Sequence, residues 1–143
     1  MLSHSSSSAT DVWPRVRGPV LVAALVLTAS LLVHLRDPHQ SGSWGLCPWL
    51  LLTGSYCPGC GGLRAVNDLT RGDLPAAASS NLLLVAALPV LAAWWARSMA
   101  LGWRGVVRPV DGRLAVASAV LLGVLAVAFA VLRNTAAGAW LAP

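Results

Sequence analysis

The sequence contains no lysine, and its five acidic residues are all aspartate. Charged residues make up 10% of the 143 positions and apolar residues 57%, against about 25% and roughly 45–50% in soluble globular domains. A soluble domain of this size covers its surface with polar groups, and too few are present here. Lipid around the outside removes that need. The ten arginines, which give a formal net charge of +5, flank apolar runs and do not cluster on one element. That distribution excludes the basic face of a nucleic-acid-binding module. No nucleophile–base pair, phosphate-binding loop or pair of carboxylates falls within any apolar run. No internal repeat is present either, which excludes an inverted-repeat transporter in a single chain.

Three long apolar runs are present. Residues 1–17, with Ser3 and Ser5 to Ser8, read as a disordered cytoplasmic tail ahead of one membrane domain over 18–143. The first run, Pro19 to Leu35, is interrupted only by Thr28, Ser30 and His34. At about 1.5 Å per residue it lies near the lower limit for a hydrocarbon core of roughly 30 Å. Basic residues followed by an apolar stretch also describe a cleaved signal peptide. The run is long for that role and lacks a small-x-small cleavage site before a polar segment, so an uncleaved span over about 18–35 is expected. The second span covers about 76–97, with Pro75 in its first turn, Asn81 as a cap at its outer end and Pro89 expected to bend it. The third, Leu114 to Leu132, has no charge and fits a bilayer almost untilted. The predicted fold is therefore an all-α integral membrane protein with three transmembrane helices.

Arginine placement gives the orientation. Arg15, Arg17, Arg97, Arg104, Arg108 and Arg113 share one side; Arg36, Arg64, Arg71 and Arg133 share the other, where Asp37, Asp68 and Asp73 offset them. This predicts a cytoplasmic N-terminus and an external C-terminus. Trp13, Trp94, Trp95 and Trp103 fall near the inner boundary and Trp44, Trp49 and Trp140 near the outer one, as amphipathic rings at headgroup level should. Beyond the bilayer itself, the small residues of the spans permit close helix approach, so a homo-oligomer or a partner membrane protein is expected.

The first connection, residues 36–75, holds all three cysteines: Cys47-Pro48, then Cys57-Pro58-Gly59-Cys60-Gly61-Gly62-Leu63-Arg64-Ala65. Leu46 to Tyr56 is too short to span and is read as interfacial or shallowly re-entrant. Leu63, Val66 and Leu69 recur at helical spacing, with Arg64, Asn67, Asp68 and Arg71 on other faces. They predict a short amphipathic helix on the membrane surface, ended by Gly72. Three chemistries suit the cysteines. They are structural, as one disulfide or as buried small thiols in an accessory protein. Or they exchange disulfides, with Cys57 activated by backbone N–H groups at a helix start, Cys60 resolving and Cys47 able to exchange with either. Or Cys47, Cys57 and Cys60 bind zinc, with His39, Asp68 or water as fourth ligand. Arg64 beside the glycine-rich turn either holds an anion or reaches lipid phosphates. Asp68 and Asp73 are expected to pair with Arg64 and Arg71, and His34 and His39 to sit at the outer interface. No organic cofactor is indicated.

C-P-G-C-G-G-L-R-A, followed by Arg71-Gly72-Asp73-Leu74 and Asn81-Leu82, resembles a bacterial membrane-protein family catalogued as domain of unknown function 2752. Its pattern runs C-P-x-C-G-x-T-R-A, then Gly-Asp, then Asn-Pro opening the next span. Cys47-Pro48, Thr53-Gly54 and the end from Arg133-Asn134 to Pro143 also match, so the resemblance covers roughly residues 44–143. Leu63 stands in place of the usual threonine and Leu82 in place of the usual proline. The resemblance implies a bacterial cytoplasmic-membrane protein and marks Cys57, Pro58, Cys60, Gly61, Arg64, Asp73 and Asn81, without supplying a reaction. High Ala, Val and Arg content suits a high-GC bacterium.

Overall fold

The computed structural model describes residues 12–40, 42–44, 47–106 and 111–142. Its elements in order are α1 (Trp13–Leu35), α2 (Pro48–Thr53), α3 (Gly62–Thr70), α4 (Leu74–Trp103), α5 (Gly112–Arg133) and a 3₁₀ helix (Ala136–Leu141). There is no strand among the described residues. The helices α1, α4 and α5 are each long and apolar enough to cross a membrane. The cysteine loop, with α2 and α3, lies between the first two. The architecture is thus the expected all-helical one with three candidate spans.

Residues 13–17 are helical: α1 starts at Trp13, with Pro14 in its first turn, where a missing N–H costs nothing. The disordered tail therefore does not extend to residue 17. The serine-rich part of that tail, and Arg108, lie outside the described residues.

The helices α1 and α4 run antiparallel. The Trp95 indole donates to the carbonyl of Pro19 at 2.9 Å. A Cβ at Gly102 would sit 3.1 Å from Val16 Cγ1 and 3.3 Å from the Arg15 carbonyl, so a glycine lets the two backbones approach at this end. At the opposite end the Asn67 side chain, fully buried in α3, donates to the Val33 carbonyl of α1 at 2.7 Å.

The backbone of α4 leaves helical dihedrals at Asn81 (φ −159°, ψ 91°), not at Pro89. Its first two turns, opened by the Asp73 carboxylate accepting from the Ala76 N–H, are in effect a separate short helix. Asn81 then caps the longer segment, its Oδ1 accepting from the Leu84 N–H at 2.9 Å. A proline can be carried within a helix whose freed carbonyl finds another arrangement; here the dihedral break falls where a cap residue can satisfy the new helix end.

The packing of α3 differs from that of a helix merely resting on a surface. The residues it buries are Ala65, Asn67 and Asp68, while Leu63 is exposed. Its polar face docks on the bundle because partners await it there. Asp68 accepts from Ser80 Oγ at 2.9 Å and meets His39 Nε2 at 2.8 Å. Asn67 also accepts from Arg71 Nε at 2.8 Å. The expected Asp68 and Asp73 pairings with Arg64 and Arg71 are thus not formed: Asp68 is held by His39 and Ser80, Asp73 caps α4, and Arg71 faces Asp37 at 3.6 Å.

Candidate functional site

Two chain segments bring the three cysteines together. Cys47 has extended backbone and precedes Pro48, the first residue of α2. Cys57 to Cys60 forms a tight turn closed by the Cys60 N–H on the Cys57 carbonyl at 3.1 Å. Gly61 then takes φ +77°, a left-handed conformation that suits only glycine without strain, and feeds the chain directly into α3. The result is a triangle of free thiols. Cys57 Sγ lies 3.1 Å from Cys60 Sγ and 3.6 Å from Cys47 Sγ, and all three sulfurs lie within 4.8 Å of one another.

The triangle borders a cavity of about 590 Å³, whose walls include Trp44, Leu50, Tyr56, Leu63 and Arg64. The thiols are not equivalent. The Leu50 backbone N–H lowers the Cys47 pKa below its ordinary 9.0, assisted by the Cys60 side chain against a partial desolvation. Burial pushes the Cys60 thiol up to about 12, with hydrogen bonding to Cys57 and Cys47 adding to the rise. Cys47 owes its lowered pKa to its place at the N-terminus of α2, whose first backbone N–H groups reach its sulfur.

Behind the triangle lies Arg133, only 1% exposed. Its Nη1 donates to the carbonyls of both Cys57 and Cys60 at 3.0 Å, and its Nη2 to that of Leu141 at 2.8 Å. The guanidinium also lies 4.8 Å from the centre of the Phe129 ring and 5.6 Å from that of Tyr56. It has no carboxylate partner among the described residues. Next to it, Asn134 pairs with the backbone of Tyr56 in both directions, accepting from its N–H and donating to its carbonyl at 2.8 Å each. From the other side Asn81 Nδ2 donates to the carbonyls of Pro58 and Cys60 at 3.0 and 3.1 Å. The cysteine turn is therefore gripped by the end of α5 and the break of α4.

Of the residues singled out from the sequence, Cys47, Cys57 and Cys60 converge, and Gly61 and Arg64 adjoin them in the cavity wall. Pro58 lends its carbonyl to Asn81. His39 and Asp68 bond to each other and are not among the close sulfur ligands. His34 meets Thr70 Oγ1 at 2.8 Å. Arg133 and Asn134 were not expected at the site. Arg133 stands out in the sequence only as the single charge ending an otherwise uncharged span, where it counts among the outer arginines. A resemblance that reached Arg133-Asn134, far from the cysteines, was the available signal that the two regions meet.

Residues 47–95 match the family model described as "Protein of unknown function (DUF2752)". This is the family that the cysteine motif resembles, and the match starts at Cys47 and runs into α4. The C-terminal resemblance at 133–143 lies outside the matched residues. No curated protein and no solved structure matches the chain.

Proposed function

We propose that this small multi-pass membrane protein carries a three-thiolate centre for a soft or borderline divalent cation, zinc by default, formed by Cys47, Cys57 and Cys60. The observation that carries the reading is the convergence of three sulfurs from two chain segments within 4.8 Å. Zinc–sulfur bonds of about 2.3 Å at tetrahedral angles put sulfurs about 3.8 Å apart, close to the 3.6 Å between Cys47 and Cys57 and reached from the 3.1 Å between Cys57 and Cys60 by a small rotation of either side chain. Charge supports it. A buried arginine stays charged and needs negative charge nearby, or it costs several kcal/mol. Three neutral thiols leave Arg133 uncompensated, whereas three thiolates and a dication carry a net −1, which it neutralises. A bound ion would also deprotonate Cys60 despite its high thiol pKa, since a coordinating thiol gives up its proton to the metal.

We place the site on the outer face of a bacterial cytoplasmic membrane, N-terminus inside, as the arginine bias supports. On that face, oxidising conditions favour a second reading, disulfide exchange. The activated Cys47 beside Cys57, with buried Cys60 3.1 Å from Cys57 Sγ, fits a nucleophile, a shuttle and a resolving thiol. Metal analysis of protein purified without chelators, combined with thiol trapping in native membranes, separates the two. Stoichiometric zinc, lost in each of Cys47→Ser, Cys57→Ser and Cys60→Ser, is expected. Metal-free protein with a Cys57–Cys60 bridge that follows the external redox poise would replace the first reading with the second.

A further inference from the structure

The cavity beside the thiols contains one charged side chain among its described lining residues, that of Arg64. Arg64 is partly buried, yet its side chain makes no hydrogen bond or ion pair with any described residue. The other cations near the site are all engaged: Arg71 with Asp37 and Asn67, Arg133 with three carbonyls, and Arg36 over the Trp44 ring at 5.6 Å. Arg64 cannot shed its charge, and its planar fork suits two oxygens of one anion. No carboxylate lines the cavity to supply them.

The three sulfurs make the complementary demand. No histidine or carboxylate ligand atom joins them among the described residues. Three thiolates fill three positions of a tetrahedral ion and leave the fourth to water or to a ligand from outside, the pattern of open zinc sites. A soft site prefers sulfur at that position. A cavity of about 590 Å³ falls within the roughly 300–1,000 Å³ of small-molecule sites, with Trp44, Leu50, Tyr56 and Leu63 as apolar walls.

We propose that this pocket takes a small thiol that carries a carboxylate: its sulfur completes the three-thiolate centre and its carboxylate pairs with Arg64. The inference rests on the metal reading above. The step is a ligand exchange with no change of oxidation state. The entering thiol releases its proton to solvent, its thiolate bonds to the ion, and the metal–water bond breaks.

The test uses the full chain loaded with Co²⁺ in a nonionic detergent, followed through the thiolate-to-cobalt charge-transfer band. Mercaptoacetate, 2-mercaptoethanol and cysteamine are titrated, offering the same sulfur with a negative, a neutral or a positive tail. Mercaptoacetate is expected to bind at least tenfold more tightly than 2-mercaptoethanol, with cysteamine weakest. Arg64→Met abolishes the preference and Arg64→Lys keeps part of it, while both variants retain cobalt. Equal binding of the three thiols, or a preference that survives Arg64→Met, overturns the proposal and leaves the metal centre standing. So does loss of the preference in phosphatidylglycerol vesicles, which would assign Arg64 to lipid headgroups. Failure of the native chain to bind cobalt through its thiols sinks the metal centre and this inference with it.

Discussion

Arg133 illustrates how a single residue can be misjudged from its position in the chain. An arginine at the end of an apolar span is normally a juxtamembrane charge that reaches for headgroups. Here the chain folds back after α5, and the 3₁₀ helix covers the side chain until 1% of it is exposed. Of its three carbonyl acceptors, that of Cys57 also accepts from the Cys60 N–H and that of Cys60 from Asn81 Nδ2, whereas that of Leu141 relies on Arg133. Arg133→Met leaves the Leu141 carbonyl unpaired in a buried place, at about 1–3 kcal/mol, and takes a charged donor from the other two, so a loss of about 2–4 kcal/mol is expected in reversible unfolding from detergent. Arg133→Lys, which cannot fork between the acceptors, should recover only part of that. A loss below about 1 kcal/mol for Arg133→Met would show that the clamp is not formed. The thiols supply a second residue-scale prediction, in metal-free reduced protein. Iodoacetamide attacks thiolates, so Cys47, whose pKa is lowered, should be carboxamidomethylated at a lower pH than Cys60, which ionises only near 12. The stability linkage has the opposite signs for the two. Cys47 contributes stability above its unfolded pKa and loses it as pH falls through the folded value. Burial of neutral Cys60 contributes below about 9 and is lost as pH rises from there towards 12. Peptide mass mapping of labelled protein at stepped pH reads the order; Cys60 labelling first would reverse the assignment.

At the scale of elements, the three long helices were legible because lipid imposes one rule on every residue of a span, and a run such as Leu114 to Leu132 obeys it throughout. The cap at Asn81 was legible for a related reason, as a short polar side chain at the head of an apolar run. The packing of α3 was not. Periodicity identifies its two faces but cannot say which one has partners, and Asn67 and Asp68 are buried because Val33, Ser80 and His39 happen to meet them. The meeting of the cysteine turn with the end of α5 was equally hidden, since nothing local in either segment encodes a contact 73 to 76 residues away. Position 82 offers a discriminating test of the α4 break. It is the first residue after the cap, where proline's missing N–H and fixed φ cost nothing, whereas in a helix interior proline costs about 3 kcal/mol or more. The family pattern places proline there. Leu82→Pro should therefore change unfolding stability by less than about 1 kcal/mol, while the same substitution at Leu91 should cost several times more. Comparable losses at the two positions would mean that α4 is continuous through Asn81.

For the whole molecule, the question is what surrounds α5. The first and fourth helices lock together through Trp95 and Gly102, and α3 joins both, but none of an 18-residue apolar window of α5 is buried. The helix is held mainly where it meets the 3₁₀ helix. There a Cβ on Gly138 would collide with the Leu132 carbonyl and lie 3.1 Å from the Arg133 N–H nitrogen, so the contact is close but confined to one end. Lipid can cover the rest of α5, since its tails solvate leucine as well as another helix does. Helix association in a bilayer depends instead on close packing, which small residues allow. The helix offers such a strip: Val120, Gly123, Val124, Val127 and Ala128 line a shallow groove at helical spacing, and the space over Gly123 is open. We expect two copies of the chain to pack through this strip, with each thiol site at the same end of its own bundle. A Gly123→Cys variant in a Cys47→Ser, Cys57→Ser, Cys60→Ser background, oxidised in native membranes, should give a crosslinked dimer in high yield. Cysteine at Leu122, on another face, should give little. In the otherwise native chain Gly123→Leu should lower the dimer fraction in mild detergent at least tenfold in apparent affinity, while leaving metal content unchanged because the strip lies along the span and away from the cysteines. Equal crosslinking at 122 and 123, or a monomer unaffected by Gly123→Leu, would leave α5 to the lipid.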